Sequence, residues 1–551
     1  AQLGGTGARQ TAGSSGPIFY STLMDVSVAK GDGTALSGAT IYYNANGWRY
    51  LGNTTSTGKL ASPVELFQYT GMTWQAQYRN SSQTIEADPV GDGKSPNQAT
   101  DVSFAATTMT INTCRHDGTS LDGVTVYYNL GGWVYVGNTS SGKITTELLG
   151  DDSLAVPFQL QYRGTATNQT VTIGSHGGTF YTSAMQATVR NSAGVGISGS
   201  TIYYNTGGWT YVGNTGADGT IIAEVYPQAM DVQAQLGGSN KTQTVTTLGG
   251  DPSQPETPEA KTFPVKFYTT KVAVKALGSD GSGVPGVTVY YNTDGWHYAG
   301  NTDASGIKNV DLFPSAPAVV TWQAQLAGGT ANQTTTNLNG VGDGLTVGKE
   351  TMVTFGVTKV TLWTVCTVYH KVGATGGWNY FGKPTKYLLP GAYTFNFNPG
   401  SSLPAVSVDL TVPTTTTEWT VAYLRLRDSL GAGLAGGTGR GGSGSSYGSW
   451  FVGPVNSTNS DGVMVDVRSG KIPSASYEMT YNGTTQVVGP QDPAAKTYAF
   501  QTMLLTLRLQ KSDGSPINGG QVRFGSGSTY TTRWWPGGST GSSAAGETAA
   551  Q

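Results

Sequence analysis

The sequence predicts an all-β fold built of tandem β-sandwich modules, and three observations support this prediction. A block of aromatic, asparagine and glycine residues recurs along the chain. Short segments of alternating apolar and polar residues are separated by Gly and Asp-Gly turns, as in sandwiches. No segment keeps the apolar i, i+3, i+4 spacing of a helix. At roughly 100 to 200 residues per domain, the 551 residues also exceed what one core accommodates.

The recurring block defines the repeat. Residues 41–54 (Ile-Tyr-Tyr-Asn-Ala-Asn-Gly-Trp-Arg-Tyr-Leu-Gly-Asn-Thr) return at 126–139, 202–215 and 289–302, and weaker copies follow. The copies are marked by tryptophans that lie 72 to 87 residues apart, namely Trp48, Trp133, Trp209, Trp296, Trp378, Trp450 and Trp534. Each period therefore predicts one small domain.

Each period reads as strands. Val124, Val126 and Tyr128 alternate with polar or outward positions, and the turn at 129–132 leads back through Trp133, which predicts a hairpin. The segments 74–78, 158–162 and 322–326 share a Gln-x-Gln pattern. With a period of two, Gln faces outward and its apolar neighbours are buried.

The joins between periods predict a stiff array. The last strand of one period runs almost directly into the next, as at 267–274, 353–362 and 500–507, which leaves little room for a hinge. We expect an extended rod of about seven modules. The predicted segments are 1–20 (second half of a split module), 21–106, 107–182, 183–269, 270–357, 358–417 (a short module), 418–501 and 502–551 (first half of a split module).

The composition narrows the functional classes. The chain has 31 basic and 33 acidic residues and a net charge of -2, so we predict no nucleic-acid partner. No apolar stretch reaches 18 residues, so no membrane span is expected. Few charges and abundant Thr, Ser, Asn and Gly favour an extracellular or cell-surface protein. Cys114 and Cys366 are predicted to be unbridged small apolar residues in the first strands of two modules.

The plan of one period resembles a known kind of module. Residues 272–306 run from a strand through Asp280-Gly, a Val-Pro-Gly-Val turn, Thr-Val-Tyr290, Gly-Trp296 and Asn301-Thr-Asp-x-x-Gly. This plan is similar to the tandem immunoglobulin-like repeats of bacterial surface proteins, of the collagen-adhesin B type and the carboxypeptidase-regulatory-like type. The resemblance implies an immunoglobulin-like sandwich and leaves the function open. Collagen-adhesin modules can carry a Lys-Asn isopeptide crosslink, but only Lys275 matches its lysine, so we predict none here.

No catalytic, cofactor-binding or metal-binding residue is predicted, and we expect no enzyme activity and no cofactor. The four histidines lie in separate periods, at His116, His176, His297 and His370. His297 occupies a slot that varies between copies, so it should face solvent. His370 is read as a replacement for the turn asparagine of other copies.

Two further motifs have simple structural explanations. Residues 431–436 and 437–442 both fit G-x-G-x-x-G, but a loop and a strand follow instead of a helix, so we predict a long flexible turn. The aspartates of four Asp-Gly pairs are expected to be turn residues and not calcium ligands, namely Asp117, Asp280, Asp461 and Asp513.

The repeated aromatics are the strongest candidate for binding. Trp48 and Tyr50 lie two apart on one strand and share a face, as do the equivalent pairs of the other copies. Because these rings follow the repeat plan, we predict that they belong to the core or to a contact between domains. The alternative is an exposed platform that stacks sugar rings.

The two ends predict how modules are completed. Residues 1–11 match residues 324–334 at seven of eleven positions, so the chain is expected to start inside a module. Residues 502–551 resemble the first half of a module. Either the chain is part of a longer array, or residues 1–20 of one copy complete residues 502–551 of the next in an open head-to-tail polymer.

These observations favour a non-enzymatic structural filament or surface stalk. The alternative is a surface adhesin or carbohydrate-binding array that uses its Trp/Tyr faces. A third possibility is a set of accessory modules belonging to an enzyme whose catalytic part lies elsewhere.

Overall fold

A computed structural model of the chain confirms the all-β prediction. It describes residues 1–10, 16–91, 93–246, 262–314, 319–337, 343–347, 350–373, 375–382, 384–400, 403–443, 450–451, 457–482, 484–517, 521–524, 533–539 and 547–550. Across those ranges the one helical segment is a 3-10 turn, Ile173–Ser175. No helix among them is long and apolar enough to cross a membrane.

Strands recur in sets of seven, which we call A to G within modules 1 to 6. Two short strands, β1 (Gln2–Leu3) and β2 (Thr6–Gly7), precede the first set. Module 1 comprises β3 (Thr22–Ala29), β4 (Thr40–Asn44), β5 (Trp48–Asn53), β6 (Val64–Leu66), β7 (Thr73–Tyr78), β8 (Ser81–Glu86) and β9 (Gln98–Ala105). Module 2 comprises β10 (Thr107–Cys114), β11 (Thr125–Asn129), β12 (Trp133–Asn138), β13 (Lys143–Leu148), β14 (Ala155–Tyr162), β15 (Thr165–Thr172) and β16 (Gly177–Tyr181). Module 3 comprises β17 (Ser183–Arg190), β18 (Thr201–Asn205), β19 (Trp209–Asn214), β20 (Thr220–Val225), β21 (Met230–Leu236), β22 (Ser239–Val245) and β23 (Thr262–Tyr268).

The later modules share strands with their neighbours. Module 4 comprises β24 (Thr270–Gly278), β25 (Thr288–Asn292), β26 (Trp296–Asn301), β27 (Ile307–Leu312), β28 (Val319–Leu326), β29 (Gly329–Asn337) and the start of β30 (Thr351–Trp363). Module 5 comprises the rest of β30, β31 (Thr367–Val372), β32 (Asn379–Tyr380), β33 (Thr385–Leu388), β34 (Gly391–Asn398), β35 (Val406–Val412) and the start of β36 (Thr417–Arg427). Module 6 comprises the rest of β36, β37 (Thr438–Ser443), β38 (Trp450–Phe451), β39 (Val463–Ser469), β40 (Ala475–Tyr481), β41 (Thr484–Gln491) and β42 (Tyr498–Gln501). The last strands are β43 (Leu505–Arg508), β44 (Gln521–Phe524), β45 (Arg533–Ser539) and β46 (Glu547–Ala550).

Every module has the same two-sheet topology. One sheet has the order D-A-G and the other the order C-B-E-F, as in β13-β10-β16 and β12-β11-β14-β15. Strands A and G run parallel, whereas the four-stranded sheet is antiparallel throughout. The predicted tandem β-sandwich is thus confirmed.

The core of each module lies between its two sheets. In module 2, Ile111 of strand A, Tyr128 of strand B and Phe158 of strand E are fully buried. Their neighbours along each strand face outward, so the alternation with a period of two decides which residues are buried. The predicted orientation of the Gln-x-Gln strands is correct, since Trp74 and Ala76 are buried while Gln77 is exposed.

Two long strands each serve a pair of modules. Strand β30 pairs with β24 as far as Val357 and with β33 from Thr358 onward. Strand β36 pairs with β30 through Thr417–Thr420 and with β42 through Leu424–Arg427. Strand G of one module thus continues into strand A of the next without a loop. The eight predicted segment boundaries stay a prediction.

The described chain divides into two compact units. The first comprises Ala1–Thr270, Leu312–Ala316 and Gly342–Lys349, and the second comprises Lys271–Asp311, Pro317–Val341 and Glu350–Gln551. Each unit holds several hydrophobic cores, such as those around Trp74 and Phe158 in the first and Phe395 and Tyr477 in the second.

The strands near the two ends of the sequence are parts of this topology. Strand β43 pairs with β46, and β44 pairs with β45, which are the A–D and B–C pairs of a complete module. Strands β1 and β2 form a hairpin in the register of an E–F turn, with Leu3 opposite Thr6 as Tyr78 is opposite Ser81.

Neither Cys114 nor Cys366 forms a disulfide, and Cys114 lies on strand A of module 2 as predicted. The placement of Cys366 in a first strand was wrong. It is buried in the turn between β30 and β31, where its amide donates to Thr364 Oγ1 at 3.1 Å.

Candidate functional site

The E–F hairpin of modules 1 to 4 is the part that reaches the next module. Its two-residue turn has positive φ at both positions, the geometry of a type I′ turn. The turn pairs are Gly4-Gly5, Arg79-Asn80, Arg163-Gly164, Gly237-Gly238 and Ala327-Gly328. Arg79, Arg163 and Ala327 adopt φ of 46°, 48° and 50°, a conformation that costs energy for a residue with a Cβ. Such strain points to a constraint imposed by a contact.

That contact is a hydrogen bond to the first turn residue. In module 2, Tyr128 of strand B donates its hydroxyl to the Arg79 carbonyl of module 1 at 2.5 Å. Tyr204 of module 3 donates in the same way to the Arg163 carbonyl of module 2. Both rings are buried, and burial raises the pKa of Tyr128 to about 12, so each hydroxyl remains a donor at neutral pH.

A second contact comes from the hydroxyl that follows the turn. Ser81 Oγ accepts a hydrogen bond from the Leu149 amide at 2.9 Å and donates to the Tyr78 carbonyl at 2.6 Å. Thr165 makes the equivalent bond to the Tyr226 amide, and Ser239 to the Phe313 amide, both at 2.9 Å. These buried amides follow strand D, beyond the end of the sheet ladder, so the hydroxyl supplies the partner they need.

Residues 1–7 make both contacts on module 1. Tyr43 donates its hydroxyl to the Gly4 carbonyl at 2.6 Å, and Thr6 Oγ1 accepts from the Phe67 amide at 2.9 Å. The hairpin β1–β2 therefore occupies the place of a preceding module's E–F hairpin.

The junction ahead of module 5 uses a histidine. His370 Nε2 lies 3.1 Å from the Ala327 carbonyl, and Tyr369 is opposite Tyr380 just as Tyr127 is opposite Tyr135. His370 thus replaces the buried tyrosine of strand B, and its assignment to the turn-asparagine position was wrong. Burial lowers its pKa to about 4, and repulsion from Lys386 adds to this effect. Within the described ranges its Nδ1 has no hydrogen-bond partner.

The repeated Trp/Tyr pairs lie on the outside of the four-stranded sheet. Trp48, Trp133, Trp209, Trp296 and Trp378 are 48% to 51% exposed, and Tyr50, Tyr135, Tyr211, Tyr298 and Tyr380 are 51% to 62% exposed. Our prediction that this face is a core or a domain contact was therefore wrong. The sandwich core is made instead by the alternate residues of strands B and E, such as Tyr128 and Phe158.

The outer face has a regular composition, and we call it the aromatic–amide face. One row crosses all four strands of module 2 as Tyr135, Tyr127, Gln159 and Asn168. The two tyrosine rings lie 5.5 Å apart, and Gln161 donates its amide to Gln159 Oε1 at 2.9 Å. The same Tyr-Tyr-Gln row recurs in modules 1, 3 and 4, with an amide-to-amide hydrogen bond of 2.6 to 2.8 Å.

No protein-family model matches the chain, and no curated protein matches its sequence. Among solved structures, it is similar to the full-length major pilin SpaD from Corynebacterium diphtheriae, with 10% identity over 58% of this chain and 96% of that one, at a TM-score of 0.21. It is also similar to a streptococcal ancillary pilin, with 11% identity over 43% and 97% at a TM-score of 0.18. A third similar structure is the Bacillus anthracis TIE protein, with 10% identity over 63% and 68% at a TM-score of 0.13.

The modules are immunoglobulin-like β-sandwiches. Each packs seven strands as two sheets, although the orders D-A-G and C-B-E-F differ from the A-B-E-D and C-F-G orders of an immunoglobulin domain itself.

The remaining histidines occupy separate sites in these sandwiches. His116 Nδ1 lies 2.5 Å from Glu224 Oε1, and His176 is a left-handed turn residue. His297 was expected to face solvent, and its side chain is 34% exposed; its ring stacks on buried Tyr291 and lies 2.6 Å from Asp294 Oδ1. In the described part of the chain, no three His, Cys, Asp or Glu side chains come together as metal ligands. That no residue is catalytic stays a prediction.

The glycine runs and the Asp-Gly pairs are structural. Residues 431–436 form a turn region, but the second run lies mostly in strand β37, so its assignment to a flexible turn was wrong. Asp117, Asp280 and Asp513 accept hydrogen bonds from the amides of Thr119, Ser282 and Ser515, as expected of turn residues. In the fourth pair the acceptor is Asn459, which binds the Asp461 amide.

Module 6 contains a buried carboxylate that the sequence analysis missed. Asp466 is fully buried, accepts a hydrogen bond from the Tyr477 hydroxyl at 2.8 Å and pairs with Arg468 at 2.9 Å. Burial raises the pKa of Tyr477, and the neighbouring Asp466 adds to the shift. Asp466 lies on strand D opposite Ala422 of strand A.

Proposed function

We propose that the chain is a structural, non-enzymatic subunit of an extracellular filament or cell-surface stalk, extended as a rod of about seven modules. In this proposal the strands at 502–551 are completed by a segment equivalent to residues 1–20. The segment comes from another copy of the chain or from a flanking repeat. The observation that carries the proposal is the docking of residues 1–7 onto module 1 with the two contacts of an E–F hairpin.

The two segments supply complementary strands. Residues 505–550 provide the A–D and B–C pairs, while residues 1–7 provide the turn end of an E–F hairpin. Strand E of a complete module pairs with strand B, as Phe158 pairs with Tyr128, and strand G pairs with strand A. Adding the missing strands by β-augmentation gives hydrogen-bond partners to the backbone groups at the open sheet edges. A head-to-tail contact of this kind generates an open filament and not a closed oligomer.

The hairpin of module 6 supports the same plan. Thr484 donates its hydroxyl to the Tyr481 carbonyl at 2.8 Å, as Ser81 does to Tyr78. Asn482 has a φ of 47°, equivalent to Arg79 in module 1. Tyr481, Asn482 and Thr484 thus already have the geometry to dock on a module built around residues 502–551.

A permuted variant tests this proposal. Residues 1–20 are deleted from their own position and attached after Gln551 through a short Gly/Ser linker, so that one chain carries both halves of the split module. We expect this variant to remain monomeric, and its residues 502–551 to gain protection from proteolysis. The matched control carries the same 20 residues in scrambled order.

The unpermuted chain and its deletion variant identify the source of the segment. Filaments in electron micrographs of residues 1–551 that are lost on deleting residues 1–20 would assign it to another copy. A monomeric chain whose permuted form is still protected would assign it to a flanking repeat. Equal proteolysis of the permuted and scrambled variants would contradict the proposal in both forms.

A further inference from the structure

We propose that the aromatic–amide face binds uncharged polysaccharides. This role goes beyond the structural one, because the face lies on the outer side of the C-B-E-F sheet and contributes nothing to the sandwich core. The Tyr-Tyr-Gln row recurs in modules 1 to 4, so one chain would offer four equivalent sites to a polymer with repeating units.

The face combines the two chemical features that a sugar requires. Half-exposed Trp133 and Tyr135 present flat apolar surfaces, which suit the apolar faces of pyranose rings. Beside them, Gln159 and Gln161 and the hydroxyl of Thr125 offer neutral donors and acceptors. Thr125 and Gln161 also line a cavity of about 400 Å³ at the hairpin end of the face, and Arg163 is the one charged residue in its lining.

The order of side chains keeps the rings and amides adjacent. Tyr127 lies opposite both Tyr135 and Gln159, so a ring stacked on the tyrosines is within reach of the amide row. The hydrogen bond from Gln161 to Gln159 fixes the direction of this row, and it has the same direction in modules 1, 3 and 4. Orienting the amides before a ligand arrives lowers the entropy cost of binding.

The face of module 2 is uncharged, whereas the rows that begin at Trp48 and Trp209 carry the acidic residues Glu86 and Asp231, so no anionic ligand is favoured. In module 2 the rows across the four strands hold no Asp, Glu, Lys or Arg; besides Tyr135, Tyr127, Gln159 and Asn168 they contain Trp133, Asn129, Pro157, Thr170, Asn138, Thr125, Gln161 and Ala166. An anionic polymer would need basic partners. A neutral polymer rich in hydroxyl groups matches both the rings and the amides.

The test compares two quintuple variants of the full chain. In the face variant Tyr50, Tyr135, Tyr211, Tyr298 and Tyr380 become Thr, which keeps strand propensity and a hydroxyl but removes the ring. In the control variant five exposed apolar residues away from the face become Thr, namely Val195, Ile222, Val347, Leu430 and Met503. Circular dichroism and thermal unfolding confirm that both variants keep the wild-type fold.

Binding is measured by electrophoresis in native gels that contain hydroxyethylcellulose, laminarin or yeast mannan, with alginate as the anionic polymer. We expect at least one neutral polysaccharide to retard the wild type and the control variant equally. The face variant should bind at least about tenfold more weakly, because several ring contacts are lost on one multivalent chain.

Three results would overturn the proposal. The first is that no neutral polysaccharide retards the wild type, and the second is that both variants are retarded equally. The third is that the wild type alone forms bundles in sedimentation and ignores every polysaccharide, which would assign the face to a second copy of the chain.

Discussion

Replacing Thr165 by Val should loosen the junction between modules 2 and 3. Valine keeps the volume of threonine and removes the hydroxyl, whose Oγ1 accepts from the Tyr226 amide at 2.9 Å and donates to the Tyr162 carbonyl at 2.7 Å. Thr165 and Tyr226 are both fully buried, so water cannot replace the lost partner in the closed state. An unsatisfied buried donor costs about 1–3 kcal/mol. Because the bond to the Tyr162 carbonyl is lost as well, we expect the substitution to destabilise the closed junction by about 2–3 kcal/mol in total.

Hydrogen exchange at the Tyr226 amide measures this cost directly. If exchange requires the hairpin to leave its site, a loss of about 2–3 kcal/mol lowers protection about 30- to 150-fold. Mass spectrometry of peptides covering residues 220–230 follows the change in the full chain. The matched control is Thr170→Val on the same strand, where the threonine is exposed. Equal exchange at Tyr226 in the two variants would refute the role given to the Thr165 hydroxyl.

Three further predictions follow from buried groups. Burial holds the folded-state pKa of His370 at about 4, below its ordinary value near 6.5. Between these values the folded form binds fewer protons than the unfolded form. The contribution of His370 to stability is therefore full above pH 6.5 and is lost as pH falls toward 4. Urea unfolding of a His370→Phe variant should therefore depend less on pH over this range than that of the wild type, and an identical dependence would contradict the assignment. Asp466→Asn should lower the urea midpoint of module 6, because breaking a buried ion pair costs about 3–5 kcal/mol. An unchanged midpoint would show that Arg468 and Tyr477 find other partners. Reductant should leave the melting temperature unchanged, because Cys114 and Cys366 are not joined in a disulfide, and a clear drop would reveal a bridge between chains.

The fold could be predicted from the sequence because repeats and the alternation of apolar and polar residues are visible in the order of the residues alone. The period of 72 to 87 residues defines the modules, and the Gln-x-Gln alternation assigns the buried face of strand E. Turn aspartates were also predictable, since an Asp side chain binds an amide two residues on, as Asp117 binds Thr119.

The junctions were missed because their partners lie far apart in sequence. Tyr128 and Arg79 are 49 residues apart, and no local pattern relates a strand-B tyrosine to the carbonyl of a previous module. One signal was available: a Ser or Thr follows the two-residue turn at Thr6, Ser81, Thr165 and Ser239. This Ser or Thr, taken together with the recurrent strand-B tyrosine, would have predicted that the hairpin docks on the next module.

The junction ahead of module 5 departs from the repeated pattern and was therefore harder to predict than the other junctions. Gly329 replaces the Ser or Thr found after the other turns, and a Cβ there would lie 2.5 Å from the Tyr393 hydroxyl. Tyr393 occupies that space and donates to the Leu389 carbonyl at 2.8 Å. Each of these residues alone looks like a departure from the repeat. Together they fit one junction, since Gly329 leaves the space that the large Tyr393 fills and the imidazole of His370 replaces the strand-B tyrosine.

The error over the aromatic–amide face has a physical cause. We took recurrence in every copy as a sign of packing, but a repeat preserves its outer surface as well as its core. The side of the sheet on which Trp48 and Tyr50 lie depends on their pairing with strand B, and that pairing is interrupted by a bulge between Ile41 and Tyr42. Below the bulge Tyr42 is opposite Tyr50, which puts both rings outside, while Tyr43 points inward and contacts Trp74. A single extra residue in one strand therefore decides whether the most regular aromatic pattern in the chain stabilises a module or remains free to bind a partner.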